Sequence, residues 1–99
     1  MSRRLVSIGP QAERETQEAA RWYKNESPEL GIAFLEVVQQ TLQAIGENPL
    51  HFPLVYRDTR RALLRRFPYG IFFRIRPEQI KVIAIVHLSR DPNRWRKRN

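Results

Sequence analysis

A chain of 99 residues without cysteine is long enough for one modest core and too short for a multidomain enzyme, and it excludes a disulfide framework, a thiolate nucleophile and Cys-ligated zinc. Its 18 Lys+Arg against 10 Asp+Glu give +8, spread unevenly: residues 54–99 carry 13 basic and 3 acidic side chains, +10, whereas residues 1–53 carry 5 and 7, −2. Such a split biases partners towards polyanions or acidic protein surfaces.

Leu5 to Ile8 predicts a short strand stopped by Gly9-Pro10, too brief an apolar stretch after Arg3 and Arg4 to serve as a secretory signal. Pro10 suits a first helical turn, where its missing N–H has no partner to lose. A helix is expected from there to about Glu26, with a thin stripe of Ala12, Ala19, Ala20 and Tyr23 that lets a second helix approach closely. Ser27-Pro28 is a cap followed by proline at the first helical position. Leu30, Phe34, Val37, Val38, Thr41, Leu42 and Ile45 then recur at 3.6-residue spacing until Gly46 and Asn48-Pro49 end the segment. These two segments predict a helical hairpin packed on something flat.

The second half alternates with period two, the signature of strands. Ala62 to Phe67 and Ile71 to Arg76 read as two of them, and Pro77-Glu78-Gln79 turns into Ile80 to His87, a largely buried third. Connections this short predict an antiparallel meander, since a parallel crossover needs a dozen or more residues. The fold class is therefore α+β, one domain over residues 1–99: strand, helical hairpin, three-stranded antiparallel meander. Arg74 and Arg76 should project from the face opposite Ile71, Phe73 and Ile75, so that one sheet face meets helices and the other presents guanidinium groups. After Asp91-Pro92 the tail should be irregular and dispensable for closing the core, with Trp95 among Arg94, Arg96, Lys97 and Arg98 free to stack on a base or dock on a protein.

Glu18-Ala19-Ala20-Arg21-Trp22-Tyr23, Leu30-Gly31, Phe34-Leu35, Asn48-Pro49, Phe52-Pro53, Arg60-Arg61, Phe67-Pro68-Tyr69 and Val86-His87 through Arg90, in that order and spacing, resemble the ParE branch of the RelE/ParE toxin superfamily. The resemblance implies a bacterial type II toxin held inactive by a cognate antitoxin in a hetero-oligomer. It also implies DNA gyrase as the target, or, for the RelE branch, messenger RNA cut in the ribosomal A site.

Cleavage through the 2′-hydroxyl needs a proton acceptor, a proton donor and cations for the phosphorane. Arg65, His87 and Arg90 are the candidates for that chemistry, but no aromatic hydroxyl or carboxylate partner follows the last strand apart from Asp91, which favours binding over catalysis. Candidate contacts with target or antitoxin are Arg60, Arg61, Arg74, Arg76, Arg90, Arg94, Trp95 and Arg96. The chain has no glycine-rich phosphate loop and no metal-spaced His cluster, so neither a cofactor nor a metal is expected. The longest purely apolar run, Val82 to Val86, spans no membrane, and a cytoplasmic location is expected. A basic nucleic-acid-binding module without toxicity is a third expectation.

Overall fold

One residue joins the two helices. Ser27 closes α1 (Pro10–Glu26) by donating its N–H to Tyr23 O, and opens α2 (Pro28–Glu47) by accepting the Leu30 N–H on Oγ at 3.2 Å. Pro28 follows at the first helical position, where no donor is wanted. The helices can lie close because the facing residues are small: Ala19, Ala20 and Gly31 are buried, and a Cβ on Gly31 would stand 3.0 Å from Lys24 Cβ. The computed structural model describes residues 5–98, so Arg3 and Arg4, on which the signal-peptide reading rests, lie outside it.

The strands number five among the described residues: β1 (Leu5–Ile8), β2 (Leu54–Tyr56), β3 (Thr59–Leu63), β4 (Tyr69–Ile75) and β5 (Gln79–His87), with a single 3-10 turn at Pro49–His51. Their order across the sheet is β1-β5-β4-β3-β2, with β1 parallel to β5 and every other pair antiparallel. The expected meander is thus β3-β4-β5, extended by a parallel strand on one side and a three-residue strand on the other. The α+β class and the element order stand as expected.

Two details depart from period-two reasoning. The strand expected from Ala62 to Phe67 stops at Leu63, because Arg66 takes a left-handed backbone (φ 72°). Phe67 is thereby swung under the helices, where it meets Tyr23 and Phe34 edge-on. In β5 a bulge places Ile83 and Ala84 on the same face against Phe72, so the register changes between Phe72↔Ala84 and Phe73↔Val82. An inserted residue of this kind re-aims everything beyond it, and here it sets Tyr69 opposite His87.

Both faces of the sheet are covered. The helical face buries Phe34, Val38, Ile45, Ile71, Phe73, Ile80, Val82 and Ile85. The other face buries Phe72, Ile83, Ala84 and Val86 beneath Trp95. Trp95 is only 4% exposed, stacks on Phe72 at 4.3 Å between centroids, and donates its indole N–H to Pro92 O at 3.0 Å. The expectation of a dispensable tail is corrected here. Leu88 and the turns through Arg98 fold back over apolar surface that the arginines cannot cover, and the one large aromatic in the tail fills it.

The tail is also pinned from below. β1 accompanies β5 only as far as Val82, whose carbonyl accepts the Gly9 N–H. Beyond that point side chains replace the missing strand: Arg98 Nη1 donates to Ile83 O at 3.1 Å, and Glu15 Oε1 accepts the Ile85 N–H at 3.1 Å. Arg98 and Glu15 also pair with each other through two hydrogen bonds of 2.8 Å. Unpaired backbone groups in a buried place are costly, and this pair satisfies them while tying the last residues of the described chain to α1.

Candidate functional site

His87 ends β5 and Tyr69 begins β4, so the bulged register makes them direct cross-strand neighbours, with rings 5.2 Å apart. The turn that follows β5 brings Arg90 back over them. Its Nη2 donates to Tyr69 Oη at 3.1 Å, and its guanidinium lies 6.0 Å from the centroid of the Trp22 ring on α1. Trp22 is half exposed despite its size. Together with Glu18 and Arg94 these residues line a cleft of about 220 Å³ between α1 and the end of β5.

The hydrogen bonds around His87 fix what it can do. Nδ1 accepts the N–H groups of Ser89 and Arg90, each at 3.2 Å, and lies 3.2 Å from Ser89 Oγ. Backbone N–H groups can only donate, so the Nδ1 lone pair is committed and the ring proton sits on Nε2. Burial, reinforced by the Arg90 charge and opposed by Asp91, holds the imidazole below its ordinary value of 6.5. Burial likewise pushes the Tyr69 and Tyr23 hydroxyls up, against the pull of Arg90. Beside His87 the cleft therefore offers neutral donors and the Arg90 cation, suited to gripping an anionic or carbonyl group, while Arg94 and the carboxylates of Glu15, Glu18 and Asp91 complete its lining.

A pH dependence follows. With the folded value depressed, the unfolded chain takes up the proton first, so this contribution to stability is complete above about pH 6.5 and is lost as pH falls through 6.5 towards the folded value. Thermal midpoints measured from about pH 7.5 to about pH 5 should fall more steeply for the native chain than for His87→Gln. Parallel curves would take His87 out of this role.

The other anticipated residues are scattered, and most are occupied. Arg65 donates to Gln40 on α2 at 2.7 Å and is absent from the lining of the His87 cleft, so the trio Arg65, His87 and Arg90 is not assembled. Arg60 holds Phe52 O at 2.6 Å, tying β3 to the loop before β2. Arg61 lines a depression beside Trp95, and its buried Nε has no partner among the described residues. Arg74 is not presented to solvent as expected: its side chain is 11% exposed, donating to Thr59 Oγ1 at 3.0 Å and lying 3.4 Å from Asp58. Arg76, more exposed, donates to the same carboxylate at 2.9 Å. Arg94 lies 3.6 Å from Glu15 and 3.7 Å from Asp91. Trp95 is core, and Arg96 is exposed beside it.

Sequence reasoning missed Tyr69, whose hydroxyl is the aromatic partner it looked for only after the last strand. The signal was available in the motif Phe67-Pro68-Tyr69, one strand earlier, but counting the hairpin without its bulge pairs Tyr69 with Val86. It also missed Glu15, indistinguishable in sequence from the exposed acids of α1. Among the described residues no three His, Cys, Asp or Glu side chains could hold a metal ion, and no helix is long and apolar enough to cross a membrane.

A helical hairpin on one face of this five-stranded sheet defines the ParE-like toxin fold. It is shared with a solved chain described as "Chromosomal ParDE TA system from P. aeruginosa", at TM-score 0.76 and 15% identity over 85% of this chain and 95% of that one. Residues 6–92 match the family described as "ParE toxin of type II toxin-antitoxin system, parDE". The chain belongs to that family and is a toxin of a type II toxin-antitoxin system. No curated protein matches the sequence.

Proposed function

We propose that this toxin arrests growth by binding DNA gyrase in the cytoplasm and that it does not cut RNA. The observation carrying the second half is the commitment of His87 Nδ1 to two backbone N–H groups. A general base needs a free lone pair within reach of the proton it removes, and this imidazole has only Nε2–H to offer. Membership of the ParE family supports the first half. On this reading His87→Ala should remain as toxic as the native chain when induced, with messenger RNA intact and DNA-damage signalling raised. Codon-positioned cleavage of messenger RNA, abolished by His87→Ala, would overturn it.

The second reading, a ribosome-dependent endonuclease, keeps one observation in its favour. The Tyr69 hydroxyl, raised in pKa and held by Arg90, is a proton donor beside a cation. Such a pair could serve a departing oxygen, but with His87 committed the attacking 2′-hydroxyl has only the carboxylates lining the cleft, Glu18 and Asp91 among them, as acceptors.

A toxin of this family has an antitoxin partner, and its seat is better sought on apolar surface than on the sheet arginines. Truncation of apolar anchors usually costs an interface most, while charges set specificity. A groove of about 940 Å³ runs between β1 and the helices, lined by Leu5, Ile8, Leu35, Val38 and Leu42, with Leu5, Ile8 and Leu35 exposed. Ile8→Asp with Leu35→Asp should weaken antitoxin binding by about 100-fold or more. Unchanged affinity in a titration would move the antitoxin elsewhere.

A further inference from the structure

Of the basic side chains at one end of the sheet left without a carboxylate partner among the described residues, Arg96 was expected and Arg57 was not. β2 and β3 are joined by a two-residue turn, Arg57-Asp58, closed by the Tyr56↔Thr59 pair. Folded against it is the tail, because Trp95 is anchored under Tyr56 and Phe72. The result is a cleft of about 450 Å³ into which Arg57, Arg74, Arg96, Lys97 and Arg98 all contribute. Its one acid, Asp58, is already engaged by Arg76, whose hydrogen bond holds its carboxyl below the usual range, and by Arg74.

Three features separate this cleft from a merely solvated basic face. First, Arg57, Arg96 and Lys97 are exposed, and none lies within ion-pair distance of a carboxylate among the described residues. Second, the guanidinium groups of Arg57 and Arg96 lie 5.3 and 5.0 Å from the centroid of the same Tyr56 ring, so two like charges are gathered on one platform. Third, Arg57 holds a left-handed backbone, φ 51°. That conformation is disfavoured for an ordinary L-residue, and hairpin turns normally assign it to Gly or Asn. The one contact of the Arg57 side chain visible among the described residues is the cation–π contact with Tyr56, and backbone strain of this kind clusters at functional sites.

We infer that the β2–β3 turn and the C-terminal turn together form a binding site for a nucleic-acid phosphodiester backbone, with Arg57, Arg96 and Lys97 contacting the phosphates. An acidic protein surface is the weaker fit, because no aliphatic side chain is among the residues that line the cleft and Trp95 is buried; Leu54 on β2 and Leu63 on β3 are exposed but do not line it. Planar guanidiniums without carboxylate partners suit phosphate oxygens. Residues 96–98 lie outside the stretch, 6–92, that matches the family. The inference stands whether or not gyrase is the target.

The test uses the purified full chain and three probes: a labelled DNA duplex of about 20 base pairs, a single-stranded RNA of equal length, and poly-glutamate, titrated between about 50 and 200 mM salt. Arg57→Asn/Arg96→Gln/Lys97→Gln should bind nucleic acid at least about tenfold more weakly at the lowest salt. It should also flatten the dependence of log affinity on log salt, by about 0.9 per lost contact on the duplex, near 2.7 for three, and by about 0.7 per contact on the single strand. Arg14→Gln/Arg21→Gln/Lys24→Gln, which removes the same charge from α1, should lose much less. Arg57→Asn alone should raise the thermal midpoint while lowering affinity, a split that a purely structural arginine would not give. Tighter binding of either polymer supports the site and tells which one supplies the phosphates. Equal losses in the two triple variants, undiminished binding by the first, or poly-glutamate bound as tightly as nucleic acid would each overturn it.

Discussion

Removal of residues 93–99 should leave a chain that is largely unfolded at growth temperature, and Trp95→Ala alone should reproduce most of the loss. Trp95 is the lid of the second core, stacked on Phe72 and touching Tyr56 edge-on. Truncating a buried Trp to Ala costs about 3–5 kcal/mol, against a total of about 5–15 kcal/mol for an ordinary domain. In a chain of this size each kcal/mol shifts the midpoint by about 4–8 °C, so a fall of at least ~12 °C is expected. Trp95→Phe, which keeps a stacking ring but loses the indole hydrogen bond to Pro92, should retain much of the stability. Thermal unfolding followed by circular dichroism checks all three variants; a truncated chain as stable as the full one would show that the second core closes without its tail.

The other large effect should come from Glu15, a carboxylate only 7% exposed that meets Arg98, Arg94 and the Ile85 N–H. Glu15→Ala strands the Arg98 guanidinium, itself 11% exposed, without its carboxylate and leaves an N–H of β5 unpaired. Breaking one side of a buried pair costs about 3–5 kcal/mol, more than the pair itself is worth, because the survivor keeps its desolvation penalty. Glu15→Met combined with Arg98→Met should therefore be milder than Glu15→Ala. Chemical denaturation of the three proteins measures this, and a double variant worse than the single one would contradict the account. The pair also lies between the His87 cleft and the tail, so its loss should loosen both.

The helical hairpin was legible because its signals are local. A proline at each helix start, a serine between the helices and a 3.6-residue repeat of large apolar residues act within one or two turns. The meander β3-β4-β5 was legible for the same reason, through short connections and period-two alternation. What escaped depends on distant partners. A three-residue strand such as β2 has too few positions for a period, and the parallel pairing of β1 with β5 joins residues more than 70 positions apart. The bulge at Ile83 is invisible in a run of five apolar residues, yet it alone turns His87 to Tyr69. Period two did place Arg74 opposite Phe73 correctly. It could not say that Thr59 at the start of β3 and Asp58 of the turn before it would occupy it. An arginine-rich ending reads as solvated tail until the single Trp95 within it is matched to the apolar face that β4 and β5 leave uncovered.

The most direct trial of the proposed function is a reaction of purified gyrase with supercoiled plasmid and increasing toxin. The account predicts that both the native chain and His87→Ala trap gyrase on cleaved DNA or block supercoiling, and that an equimolar antitoxin reverses the effect. Gyrase that works undisturbed at saturating toxin, alongside ribosomes whose messenger RNA is cut by the native chain and spared by His87→Ala, would contradict it.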